Sequence, residues 1–172
     1  EETLEALGEL VKQGKVRQIG LSNETPWGTM KYLELSETKS LPRVASIQNA
    51  YNLVNRGFEI GLSEIAMQEQ VGLLAYSPLA QGTLTGKYLN GQMPQGSRLA
   101  LFGDTPLMMR YKGDKTQKAI EMYVEVAKKF EIDPTQLAIQ FCNIQPFVTS
   151  NIIGATTICL LYTSPSPRDL SE

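Results

Sequence analysis

Apolar residues recur in two rhythms along this chain. In TLEALGELVKQ (3–13), Leu4, Leu7, Leu10 and Val11 stand at helical spacing, and Gly14 supplies a C-terminal stop. VRQIGLSN (16–23) reads as a short strand with a polar end. Thr25-Pro26 then opens a helix running to about Glu37, with Thr25 as N-cap and Pro26 in the first turn. VASIQNAYN (44–52) is a second strand with a polar end. FEIGLSEIAMQEQ (58–70) is helical, with Ile60, Leu62, Ile65 and Ala66 expected to face inward. VGLLAYSPLAQG (71–82) is a third strand and loop.

The order is helix, strand, helix, strand, helix, strand. The strands are nearly continuously apolar before their polar ends, which predicts burial on both faces and a parallel sheet joined by helical crossovers. A repeat of roughly thirty residues per unit suits a (β/α)8 TIM barrel of about 250 residues. Residues 83–115 break this rhythm. Gly86, Asn90-Gly91, Pro94, Gly96, Gly103, Pro106 and Gly113 punctuate a segment that reads as a binding loop, a lid or a disordered stretch, with Met108 and Met109 as apolar cover. KTQKAIEMYVEVAKKF (115–130) is an amphipathic helix whose Glu121–Lys129 charges form a solvated face, and Asp133-Pro134 caps another helix to residue 144. FVTSNIIGATT (147–157) is a fourth strand and turn. Four strands cannot close a barrel of eight, so the pattern predicts a half barrel.

Composition narrows the function classes. Of the 172 residues, 42% are hydrophobic and 20% charged, as in an ordinary soluble globular domain. A net charge of -2 without a Lys/Arg cluster argues against a nucleic-acid footprint. No apolar run reaches the length of a membrane span, and EETLEALGEL has no signal-peptide pattern. The missing initiator Met predicts that the sequence starts inside a longer one. Cys142 and Cys159 form no metal-ligand pattern, which predicts a reduced, cytoplasmic protein. The chain has no histidine, which excludes a His general base, a Ser-His-Asp triad or a His-ligated metal within these residues.

In parallel α/β folds, ligands bind beyond the carboxyl ends of the strands. Those ends read Ser22-Asn23, Gln48-Asn49, Tyr76-Ser77-Pro78 and Gly154-Ala155-Thr156-Thr157. Together they offer amide donors and acceptors, an aromatic face and a small-residue turn whose N–H groups can approach an anion. None is a carboxylate, so this is a binding surface and not an acid–base site. A carboxamide-bearing aromatic ring with phosphates, a nicotinamide nucleotide, suits it. Each element also has a plainer reading. Ser22-Asn23 can cap a turn, Gln48 can satisfy a buried backbone group, Tyr76 can be core, and Gly154 can be a tight turn. Their concurrence at four successive strand ends favours the functional reading.

GKVRQIGLSNE, SIQNAYNLVNR, LLAYSPLAQGTLTGKY and IIGATT together resemble the aldo-keto reductases, in particular their bacterial Tas-like branch, with the voltage-gated potassium channel β-subunits as more distant relatives. The resemblance covers residues 1–157 in order. It implies an (α/β)8 barrel, of which this chain spans the helix before strand five through strand eight, and NADP(H) as cofactor. It also implies that Ser22, Asn23 and Gln48 hold the nicotinamide carboxamide and that Tyr76 stacks on the ring. By the same resemblance Ser77, Pro78, Leu79, Ala80, Gln81 and Gly82 wrap the pyrophosphate. Lys87 and Arg98 add cationic contacts to it, and Gly154 and Thr156 meet the adenosine phosphate end. The family's catalytic Asp, Tyr, Lys and His lie upstream of this chain. No catalytic residue is therefore assigned here, and Tyr51, Asp104 and Lys112 do not match those motifs. The resemblance implies reduction of a small-molecule aldehyde or ketone by the complete protein. The alternative is a non-catalytic NADP(H)-binding sensor or scaffold like the channel β-subunits. A third reading is an unrelated parallel α/β domain whose polar strand ends are only caps.

After Thr157 the pattern departs from the family. CLLYTSPSPRD (159–169) is the in-frame translation of a string similar to a transposon-end adapter used in sequencing libraries. Residues 158–172 are therefore expected to be non-native and are excluded from the fold reasoning. The alternative is a genuine, divergent tail rich in Pro and Ser.

Overall fold

A computed structural model describes residues 1–103 and 105–155. Asp104, Thr156, Thr157, Cys159 and the rest of the 158–172 segment lie outside the described residues. The described chain runs α1 (Glu2–Lys12), β1 (Ile19–Ser22), α2 (Pro26–Thr38), β2 (Val44–Ala50), α3 (Leu62–Gln68), β3 (Gly72–Tyr76), α4 (Arg98–Phe102), α5 (Pro106–Met109), α6 (Asp114–Lys129), α7 (Pro134–Asn143) and β4 (Val148–Ile152). Short 3-10 turns lie at Gly57–Glu59, Ala80–Thr85 and Leu89–Gly91. The strands form one parallel sheet in the order β1-β2-β3-β4, half of an eight-stranded α/β barrel.

Local chemistry sets the boundaries. The Thr25 hydroxyl accepts the Gly28 N–H at 3.0 Å, and Pro26 follows it into α2. Asp133 accepts the Thr135 N–H at 2.7 Å, and Pro134 opens α7. Gly14 ends α1 with φ +69, a left-handed conformation that suits glycine. The helix expected over 58–70 is broken. A 3-10 turn ends at Glu59, Gly61 turns left-handed at φ +89, and only Leu62–Gln68 is α-helical. Ile60, expected to face inward, sits on this break and is 80% exposed, whereas Leu62 and Ala66 are buried. The 83–115 segment carries the short helices α4 and α5, and of its two methionines Met108 is buried and Met109 exposed.

Helices cover one face of the sheet only, which corrects the expectation of burial on both. Ile19, Val44, Ile47, Leu73 and Ala75 pack with Leu4 of α1, Leu33 of α2, Leu62 and Ala66 of α3, and Cys142 of α7. The other face is small and polar. Register brings Gly20, Ser46 and Gly72 into one row, and Ser22, Gln48, Leu74 and Ser150 into the next. In a closed barrel this face is the interior.

An aromatic cluster closes the core beneath the β2 end. Tyr51 stacks on Phe141 at 5.6 Å between centroids and meets Phe147 edge-on at 5.3 Å. Its hydroxyl donates to Glu59 at 2.7 Å, and Arg56 donates to the same carboxylate through Nε and Nη2, each at 2.7 Å. Burial, reinforced by Glu59, raises the Tyr51 phenol well above its ordinary pKa. The Cys142 thiol is pushed up to about 12 by burial, so it is an unreactive core thiol. Among the described residues no helix is long and apolar enough to cross a membrane.

Two predictions follow from this packing. The Arg56 hydrogen bonds hold the Glu59 carboxylate below its ordinary value of 4.5, with burial opposing and Tyr51 assisting. Its stabilising contribution is therefore complete above that value and is lost as pH falls through the lower folded pKa. Glu59→Gln should make the acid-side loss of stability shallower, as read by urea melts from neutral pH downward. Among the described residues, the outer edges of β1 and β4 carry no paired strand. The isolated chain should self-associate in sedimentation experiments, and a monodisperse, cooperatively melting monomer would contradict this.

Candidate functional site

Parallel pairing places all four strand carboxyl ends on one side. Ser22 lies opposite Gln48, and Tyr76 lies between Ala50 and Ile152. Beyond these ends the ladder cannot continue, so side chains and left-handed residues take over the backbone groups. Asn23, at φ +53, donates its N–H to Gln48 O at 3.0 Å and to Asn49 Oδ1 at 2.9 Å. Its carboxamide donates to Ser22 Oγ at 3.1 Å and accepts from the Tyr76 hydroxyl at 2.9 Å. The structure thus brings Ser22, Asn23 and Tyr76 into one hydrogen-bonded chain across the mouth of the sheet. Gln48 stands exposed beside it, on the same face as Ser22.

The β3 end continues into a tightly curled loop. Ser77, Ala80 and Gln81 take positive φ values of 56, 48 and 61, and Gly82 follows at 92. The loop is tied by its own side chains. Gln81 Nε2 donates to Ser77 Oγ at 2.8 Å, Thr85 Oγ1 to Gly82 O at 2.9 Å, and Thr83 Oγ1 to Ala80 O. Pro78 and Ala80 are buried beneath, and Leu79 packs against the same apolar cluster.

Two cations flank this loop. Lys87 lies over the Tyr88 ring at 5.2 Å, and a Cβ on Gly82 would stand 3.1 Å from its Nζ. Arg98, at the start of α4, donates to Gln81 Oε1, and its Nη2 would lie 3.8 Å from a Cβ on Gly154. Arg98 therefore holds the curled loop and extends toward the turn after β4. Thr156, the remaining predicted site residue, lies outside the described residues. The donor set, with glycine at the point of closest approach and a cation on either side, fits a diphosphate.

Three contributors were not evident from the sequence. The nearby Tyr76 side chain raises the Arg110 guanidinium above its ordinary pKa, so a cation stands near the aromatic end of the site as well. Asn52 is fully buried and donates to Ser77 O, and Tyr111 meets its carboxamide. The residue types gave no signal, because a loop arginine and a post-strand asparagine read as solvated or turn residues. A cavity of about 330 Å³ lined by Glu5, Gly8, Glu9, Lys12, Leu41 and Pro42 lies elsewhere, between α1 and the turn preceding β2.

The sheet, its polar strand ends and the cation-flanked loop define half of an α/β barrel with a polar mouth. The aldo/keto reductase family model matches residues 1–162, and the chain belongs to this family. It is 51% identical over 163 residues to "Protein tas" of Escherichia coli, covering 95% of this chain and 46% of that protein. It is 36% identical to the L-glyceraldehyde 3-phosphate reductase of Escherichia coli, covering 91% of this chain and 45% of the relative. A probable voltage-gated potassium channel subunit beta of Oryza sativa is 34% identical over 91% of this chain and 48% of its own length. The chain thus spans about half the length of these relatives.

The Tyr76–Asn23 bond ties β1 to β3 across the exposed mouth, where water competes with it. Tyr76→Phe should therefore lower stability by less than about 1.5 kcal/mol in a urea melt, with the ring retained.

Proposed function

We propose that this chain is the NADP(H)-binding half of an oxidoreductase that reduces aldehydes or ketones to alcohols. The observation carrying this reading is the juxtaposition at one sheet end of the Ser22–Asn23–Tyr76 chain and the loop 77–82 with Lys87 and Arg98 at its flanks. Ser22, Asn23 and Gln48 orient the nicotinamide carboxamide, and Tyr76 offers its ring face to the nicotinamide. The 77–82 loop takes the pyrophosphate, and Gly154 with Thr156 takes the adenosine phosphate end. The cofactor supplies hydride to a carbonyl carbon. The proton donor and its partners belong to the preceding half of the protein, so this chain contributes binding and orientation and no catalytic residue. The likeness to Protein tas and to a glyceraldehyde-phosphate reductase supports the oxidoreductase reading.

A second reading is a non-catalytic NADP(H) sensor or scaffold, supported by the 34% identity to a potassium channel subunit beta. The coding sequence upstream separates the two. An intact Asp/Tyr/Lys/His set favours the enzyme, and loss of its Tyr or His favours the sensor. We place the protein in the cytoplasm, with a small carbonyl compound and neither nucleic acid nor membrane as its partner, and residues 158–172 outside the native domain.

Titration of the purified chain with NADPH, read by nucleotide fluorescence, tests the cofactor reading. Binding should be weak, because residues 158–172 are read as non-native and so do not complete the adenine end. Tyr76→Ala should weaken it by about tenfold or more. Absence of NADPH binding by the intact parent protein would favour the third reading, a parallel α/β domain whose strand ends are only caps. Carbonyl reduction by this chain alone, abolished by Tyr76→Ala, would overturn the assignment of catalysis to the other half.

A further inference from the structure

We propose that Asn52 is a positioning residue that latches the 77–82 loop to the 106–113 segment, so that both take up their ligand-binding arrangement together. This rests on reading 77–82 as the diphosphate cradle. Asn52 follows β2 and has no exposed surface. Every polar group it carries is used. Its N–H donates to Asn55 O at 3.1 Å and its carbonyl accepts the Asn55 N–H at 3.0 Å, closing a tight turn. Its Oδ1 accepts the Val54 N–H at 3.0 Å. Its Nδ2 donates to Ser77 O at 2.9 Å and to the Tyr111 hydroxyl at 3.2 Å.

The two Nδ2 bonds are the significant ones. Ser77 is the first of the loop's positive-φ residues, followed by Ala80, Gln81 and Gly82, in a conformation that residues other than glycine disfavour. Most of the loop's tethers arise within 77–85 and hold it only to itself. The bond from Asn52 anchors its first residue to the end of β2, where the Ser77 carbonyl also accepts the Ala80 N–H at 2.9 Å. The second bond seats Tyr111, which is buried in a cluster with Ala80, Leu84, Ile120 and Ala138. The next residue back is Arg110, whose guanidinium pKa the Tyr76 side chain raises. One carboxamide thus joins the curled loop to the segment that carries Arg110 and Tyr111. The side-chain type matters. It must donate twice and accept once, which aspartate cannot do and leucine cannot do at all.

Amide hydrogen exchange on the full chain tests the latch directly. Asn52→Asp keeps the acceptor for Val54 but sets a carboxylate against Ser77 O and should raise exchange at 77–85 and 105–113 together, with β2 and β3 still protected. Tyr111→Phe should raise exchange at 105–113 alone. NADPH affinity should fall about tenfold or more in Asn52→Asp and less than about threefold in Tyr111→Phe. A uniform rise in exchange across the sheet would make Asn52 a core residue only and overturn the proposal. So would unchanged NADPH affinity in a variant whose loop has loosened. If the intact parent protein binds no NADPH, the proposed function fails, and the exchange pattern still decides the latch.

Discussion

The site depends on how a parallel sheet ends. Inside the sheet each backbone group is paired by its neighbour strand, but at the carboxyl edge the ladder stops and its donors and acceptors must find other partners. Here the chain answers at each end with a polar residue. Asn23 caps the Gln48 carbonyl, the Tyr51 N–H reaches Tyr76 O at 3.2 Å, and Asn52 takes the Ser77 carbonyl. The groups that finish the sheet are adjacent to the groups offered to a ligand, so structural closure and recognition share one row of residues.

Much of this was legible in the sequence because its determinants are local. Thr25-Pro26 and Asp133-Pro134 carry their caps and first-turn prolines in adjacent letters, and Gly14 marks its stop alone. The strand ends were legible for the same reason, since a polar residue closing an apolar run is visible without tertiary information. The break at Ile60-Gly61 was not, because an isolated glycine in an apolar-periodic stretch reads the same whether it is tolerated or turns left-handed. The exposed sheet face was hidden by composition. Glycine and serine at positions 20, 22, 46 and 72 are compatible with either a packed barrel interior or an uncovered surface.

The remaining site features depend on distant pairings. Asn52 and Tyr111 are 59 residues apart, and Arg98 and Gln81 are 17 apart. No periodicity links such residues. The family motifs placed Lys87 and Arg98 at the loop, and the geometry adds what each does there. Lys87 crowds the space above Gly82, and Arg98 spans from Gln81 toward Gly154. The described half supplies amides, hydroxyls, an aromatic ring and guanidinium and ammonium groups, a set able to hold a charged nucleotide in place.

Sheet order and chain order coincide, β1-β2-β3-β4. β1 with β2 and β2 with β3 pair across a single α-helical crossover, a loop closure of modest entropy, whereas β4 reaches β3 across the whole 77–147 stretch. What such steps cannot accomplish is the seam. Joining β4 to the first strand of a barrel is the contact of greatest sequence separation, and it is the slow, non-local event on which ring closure waits. At β4 the described sheet offers an open edge for that closure.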